Sequence, residues 1–274
     1  MGAHLQDGAG DRTELLVRPD GTVVGDDGSA GALAAALPYT GRLARRMGEL
    51  VEAGDLRVME ASGTQRLTVG VTWTPAGEGT FRAAVTSLVP RTVPVFTVVG
   101  AVDTTAAVSH CLDRLAGVDG VVWSSVVTAG PRVIAAVGDR RELHHLAEVG
   151  NRMLAILRSL EDQHATGFMR LRFEQGAVIG ASLGRHALVA CTSVTDDDEV
   201  LAVIDEIRAV LAGHDLSVVA TELDPDAVEA PTTPAGDDAH EQDRAPAPAL
   251  VGARFRGAGE PVDRRRRRSI FRAR

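Results

Sequence analysis

The run from Asp139 to about Leu160 constrains this chain more than any other stretch. Leu143, Leu146, Gly150, Met153, Leu157 and Leu160 recur mostly at three- and four-residue steps, the spacing of one face of an α-helix. Val149, Leu154 and Ile156 widen that stripe beyond what contact with one sheet face requires. A helix of this kind needs apolar cover on two sides. Leu146, Val149, Gly150, Met153 and Leu157 are therefore the expected pairing surface, either between two copies of the chain or between its own two halves.

Around this helix, Ser109 to Val219 reads as a short helix, two strands, the long helix, a three-strand meander and a closing helix. Thr104 to Ala116 places Val108, Cys111, Leu112 and Leu115 on one face, with Gly117 after it. Val121 to Val127 and Arg132 to Val137 form a hairpin about Ala129-Gly130-Pro131. Asp139 is placed to cap the long helix. Phe168 to Phe173, Ala177 to Leu183 and Ala187 to Val194 form the meander, and Asp197 to Ala212 closes it with an acidic first turn that suits the helix dipole.

The first half repeats part of this plan. Leu15 to Val24 turns at Arg18-Pro19-Asp20-Gly21, Ala32 to Ala53 is a helix broken at Pro38 or two short helices, and Leu56 to Glu60, Arg66 to Trp73 and Thr80 to Val89 form a meander. No opening helix fits before Glu14, and prolines stand where a closing helix would follow Val89. The shared order, hairpin, long helix, meander, points to tandem duplication. The division expected is 1–12 disordered, 13–98 a degenerate unit, 99–222 a complete unit, and 223–274 a disordered tail rich in Pro, Ala, Asp and Glu.

Charge narrows the partners. All 29 basic residues are arginine, which excludes chemistry that needs a phosphate-loop or Schiff-base lysine. Ten of them lie beyond Leu223 beside nine acids, so the remaining body holds 19 bases against 28 acids and is a poor match for nucleic acid. Cys111 and Cys191 sit in apolar surroundings, as core residues of a reducing cytoplasm do. The polar start and the lack of any long apolar run predict neither leader nor membrane span. At the far end Arg264, Arg265, Arg266, Arg267 and Arg268, followed by Ile270 and Phe271, could meet anionic lipid or an acidic partner face.

Chemical motifs are few. Gly180-Ala181-Ser182-Leu183-Gly184 has nucleophile-elbow spacing, with Asp196, Asp205 and His214 downstream in hydrolase order, but an elbow needs a strand running into a helix and here a strand follows. His144 and His145 are adjacent on a helix and diverge, unlike ligands four residues apart. Asp196 to Glu199 reads as a helix cap with solvated charge rather than a cation site. No catalytic residue, metal or cofactor is expected.

Leu112-Asp113-Arg114-Leu115-Ala116-Gly117-Val118-Asp119-Gly120-Val121, then Val133-Ile134-Ala135, then Ala187-Leu188-Val189-Ala190 before the last helix give Leu112 to Val219 a pattern that resembles the Roadblock/dynein light-chain superfamily. The resemblance implies an α+β fold, a five-stranded antiparallel sheet with the middle helix on one face and the outer helices on the other. It implies pairing through the middle helix and the adjacent meander strand. For bacterial members it implies action on small Ras-like GTPases, with no catalytic residue supplied. The expectation is thus a cytoplasmic interaction or regulatory protein, peripheral to the membrane if the tail binds lipid. A small-molecule sensory module and, more remotely, a serine hydrolase are the alternatives.

Overall fold

A computed structural model describes residues 12–25, 31–88, 103–128, 132–138, 142–161, 166–193 and 198–223. In chain order these form β1 (Arg12–Val17), β2 (Val23–Val24), α1 (Gly31–Leu50), β3 (Leu56–Gly63), β4 (Gln65–Trp73), β5 (Gly79–Ser87), α2 (Thr104–Ala116), β6 (Val121–Thr128), β7 (Arg132–Gly138), α3 (Leu143–Glu161), β8 (Thr166–Phe173), β9 (Ala177–Leu183), β10 (His186–Thr192) and α4 (Asp198–Leu211). A single 3₁₀ turn, Leu216–Val218, follows α4. Of the segments expected to be disordered, 1–11 and 224–274 lie outside the described residues, as does the Asp139 cap; Arg12 opens β1 and Leu223 bridges to Val133.

The fold is α+β, but its sheet has ten strands instead of five, all antiparallel, in the order β2-β1-β5-β4-β3-β8-β9-β10-β6-β7. The physical reason is at the middle. β3 and β8 would each be a free edge of a five-stranded sheet, and they bond to each other from Leu56↔Phe173 to Gly63↔Thr166. Pairing two long edges removes a row of unsatisfied backbone groups from each.

Read outward from that seam, the first half runs β3, β4, β5, β1, β2 and the second runs β8, β9, β10, β6, β7. Each half therefore places its hairpin, its helix and its meander in the same spatial order. α1 and α3 lie on one face and pack against each other, and a continuous core joins Leu37, Met47, Leu67, Val69 and Phe81 of the first half to Val127, Met153, Ile156, Leu171 and Val189 of the second.

α1 is continuous from Gly31 to Leu50 with Pro38 inside it, where a break was expected. Pro38 leaves the Ala34 carbonyl without its helical N–H partner, yet the helix runs on; one turn later the buried Thr40 Oγ1 donates back to the carbonyls of Ala36 and Leu37, each at 3.1 Å. Leu33, Leu37, Ala44 and Met47 anchor the helix on either side of the proline.

The other face differs between the halves. α2 and α4 cover the second half, burying Val126, Ile179, Ala181, Leu188 and Ala190 beneath Leu112, Leu115, Ile204 and Ile207. Arg114 of α2 and Glu206 of α4 are ion-paired above them. Over β4 and β5 no helix lies on this face among the described residues. The sequence matches that difference: β9 and β10 are buried at nearly every position, whereas β4 alternates, with Leu67, Val69 and Val71 inward and Arg66, Thr68, Gly70 and Thr72 outward.

Candidate functional site

The apolar excess along α3 is met inside the chain. Leu146 and Leu157 are 3% exposed, Val149 1% and Met153 0%, and Gly150 is buried with them. One side of the helix lies on β6, β8, β9 and β10 and another on α1. All five residues named for pairing are buried within the chain, Gly150 and Met153 against the sheet, with α1 packed on the same helix.

Two glycines show how closely α3 sits. A Cβ built on Gly150 would fall 2.6 Å from Val127 Cγ1 and 2.8 Å from its Cβ, and one built on Gly180 would fall 2.9 Å from Met153 Cε. Gly150 thus belongs to the helix-to-sheet contact. Its spacing on the stripe was visible in the sequence, but which surface it faced was not.

The nucleophile-elbow reading of Ser182 fails on geometry. β9 runs through a two-residue turn at Gly184, φ +70°, straight into β10, with Ser182 opposite Ala187. Ser182 and His214 do line one cleft of about 560 Å³, together with Arg185, His186, Arg208 and Asp215 over a floor of Leu183, Leu211 and Leu216. Strand alternation, however, turns the Ser182 side chain to the α3 side with Gly180, while His214 follows α4 on the opposite side. His214 Nδ1 lies 3.3 Å from Thr104 Oγ1, and Asp205 bonds Arg208 at 3.4 Å. Asp196 lies outside the described residues.

Within the cleft, Asp215 accepts from Ser217 Oγ at 2.6 Å and from its backbone N–H at 3.0 Å, which holds its carboxyl below the ordinary aspartate value. Burial holds the His186 imidazole low, Arg185 adds to that, and Asp215 acts against it.

His144 and His145 are both exposed on the first turn of α3, and among the described residues no three metal-ligating side chains gather. Asp196 to Asp198 lie in or against a stretch whose side chains are not described, and Glu199 is exposed. Cys111 and Cys191 are buried and not joined in a disulfide, in the α2 and α3 cores respectively. Burial raises the Cys111 thiol pKa, which makes it a poor nucleophile. No helix among the described residues is long and apolar enough to cross a membrane. Arg264 to Arg268, Ile270 and Phe271 lie outside the described residues.

Among solved structures the chain is similar to the Roadblock/LC7 domain from Streptomyces avermitilis, at 14% identity and a TM-score of 0.31, over 39% of this chain and 88% of that one. No family model and no curated protein matches it.

Proposed function

We propose that this protein is an interaction protein that binds a small Ras-like GTPase and regulates or scaffolds it without supplying catalytic residues. One observation carries the reading. The second half runs α2, β6, β7, α3, β8, β9, β10, α4, with α3 on one side of its five strands and α2 and α4 on the other, which is the arrangement the family resemblance implies. A partner of this kind is governed by stabilising one conformation of its switch loops.

In this reading one chain is the working unit. α1 packs on α3 and β3 pairs β8, so the first half takes the place a second copy would fill. The arginine-rich end then adds a contact with anionic lipid, each arginine contributing about 1 kcal/mol near a charged leaflet. Vesicle co-sedimentation of the full chain and of a chain ending at Val262, at two salt concentrations, tests that contact; equal pelleting removes it.

The test of the main reading is retention from the native host. Tagged full-length protein is incubated with lysate preloaded with a non-hydrolysable GTP analogue or with GDP. A small GTPase retained in one nucleotide state supports the reading, and none retained in either state defeats it.

The cleft at Arg185, His186, Arg208 and Asp215 favours a second reading, a sensory module for a small molecule, since its volume lies within the range of ligand pockets. Protein purified from its host and denatured for mass spectrometry should then release a stoichiometric small molecule.

A further inference from the structure

The outward face of β3, β4, β5 and β8 carries three arginines with no ion pair among the described residues: Arg66, Arg82 and Arg172. Their setting is fixed by register. Arg82 stands opposite Gly70, Gly70 opposite Val58, and Val58 opposite Arg172, so Arg82 and Arg172 end one row across four strands. Arg66 lies four residues from Gly70 along β4. At a strand spacing of ~4.8 Å, Arg82 and Arg172 are about 14 Å apart at the backbone.

Between them the surface is low. Thr68, Gly70, Ala84 and Val58 fill it, and a Cβ added at Gly70 would meet nothing nearer than the Arg82 carbonyl oxygen at 4.0 Å. Glu60 on the same face is neutralised by Arg170. Glu14, on the adjoining strand β1, lines a small cleft with Arg82 and lies outside the span from Arg82 to Arg172.

In the second half the equivalent face is apolar and lies under two helices of this chain. Here the residues around Gly70 are mostly polar or small, with Val58 beside it and Phe168 at the far end of β8. Three guanidiniums without an ion pair among the described residues, in a chain of net charge −8, mark a place where negative charge is expected. An α-helix with its side chains is about 10–12 Å across, which fits between Arg82 and Arg172 with its flanks reaching both. A bilayer is a poorer occupant, because the aromatic side chain on this face, Phe168, is partly buried against the core under α2 and α4, and Val58, Thr68, Gly70 and Ala84 are too short to insert.

We propose that this face docks an acidic amphipathic helix of a partner protein, seated over Gly70 and Thr68 and clamped by Arg82, Arg172 and Arg66. The inference rests on the protein being an interaction module, but it does not require the partner to be a GTPase.

The experiment uses the full chain in its native host with photoreactive benzoylphenylalanine at Thr68, and at exposed Arg46 on α1 as the opposite-face control. The expected result is a protein cross-linked from Thr68 and not from Arg46, through an acidic helical peptide. Combined Arg66→Glu, Arg82→Glu and Arg172→Glu lowers the yield at least about tenfold, and reversing the acids of the captured peptide restores it. Gly70→Trp, which fills the seat without touching a charge, lowers it as well. The proposal is overturned if Thr68 cross-links only to this chain's own residues, only to lipid or to nothing, or if the yield ignores the charge reversal. A captured partner that is not a GTPase but obeys the charge swap removes the GTPase reading and leaves this one. A GTPase captured without charge dependence does the reverse.

Discussion

Arg170 of β8 and Glu60 of β3 face each other across the seam between the halves, with Arg170 Nε and Nη2 both on Glu60 Oε2, at 2.6 and 2.5 Å. Their side chains are 10% and 14% exposed, so the pair is largely removed from water. Breaking such a pair leaves one charge uncompensated, whereas replacing both partners with apolar side chains costs little. Arg170→Ala, which takes the guanidinium away from the Glu60 carboxylate, should therefore destabilise the protein by about 3 kcal/mol in urea unfolding, and Glu60→Val with Arg170→Met by much less. Equal losses in the single and double variants would show that the seam does not depend on the compensation of charge.

Gly150 and Gly180 make a second comparison. Both sit where α3 meets the sheet, but the obstacle at Gly150 is Val127, branched at Cβ and held in a strand, whereas at Gly180 it is the unbranched Met153 side chain from Cγ outward. A stiff neighbour cannot yield, and a methionine can turn aside. Gly150→Ala should cost about 1–3 kcal/mol of overpacking strain and Gly180→Ala distinctly less, as read from denaturation midpoints at constant slope. The reverse order would mean that α3 shifts as a unit.

Met153→Arg separates two meanings of the apolar stripe. Met153 is fully buried beneath Gly180, so a guanidinium there enters the core. The expected outcome is loss of the cooperative thermal transition in circular dichroism. A folded chain whose mass in solution halves would instead place the helix between copies.

Much of this architecture was legible because its elements carry clean periods. β9 from Ala177 to Ala181 and β10 from Ala187 to Cys191 are apolar or small and buried on both sides, while Arg66, Thr68, Gly70 and Thr72 alternate with Leu67, Val69 and Val71. That contrast already separates a covered strand from one with a bare face. The join of β3 to β8 was not legible, because edge pairing links residues more than a hundred positions apart and leaves no mark on local period. Its one trace is Glu60 and Arg170, opposite charges within two apolar strands. The continuity of α1 was likewise hidden, since it is held by the burial of Leu33, Leu37, Ala44 and Met47 on both sides of Pro38 against the sheet and α3, which local propensity does not record.

The cleft near Ser182 should make stability sensitive to acid. Around His186 stand Arg185 on its own hairpin and Arg208, His214 and Asp215 from the end of α4 and the turn after it. Burial keeps the folded His186 pKa below its ordinary 6.5, with Arg185 acting in the same sense and Asp215 against. Below pH 6.5 the unfolded chain therefore takes up a proton that the native chain refuses, and stability falls as pH drops from 6.5 toward the folded value. Asp215 also has a lowered pKa, so its contribution is present above 3.8 and is lost only at more acid pH, in a separate window. Urea midpoints measured from about pH 8 to about pH 5 should fall less steeply in His186→Asn than in the parent chain, with the two curves parallel above 6.5. Curves that stay parallel down to about pH 5 would show that His186 takes up its proton as readily in the folded chain as in the unfolded one.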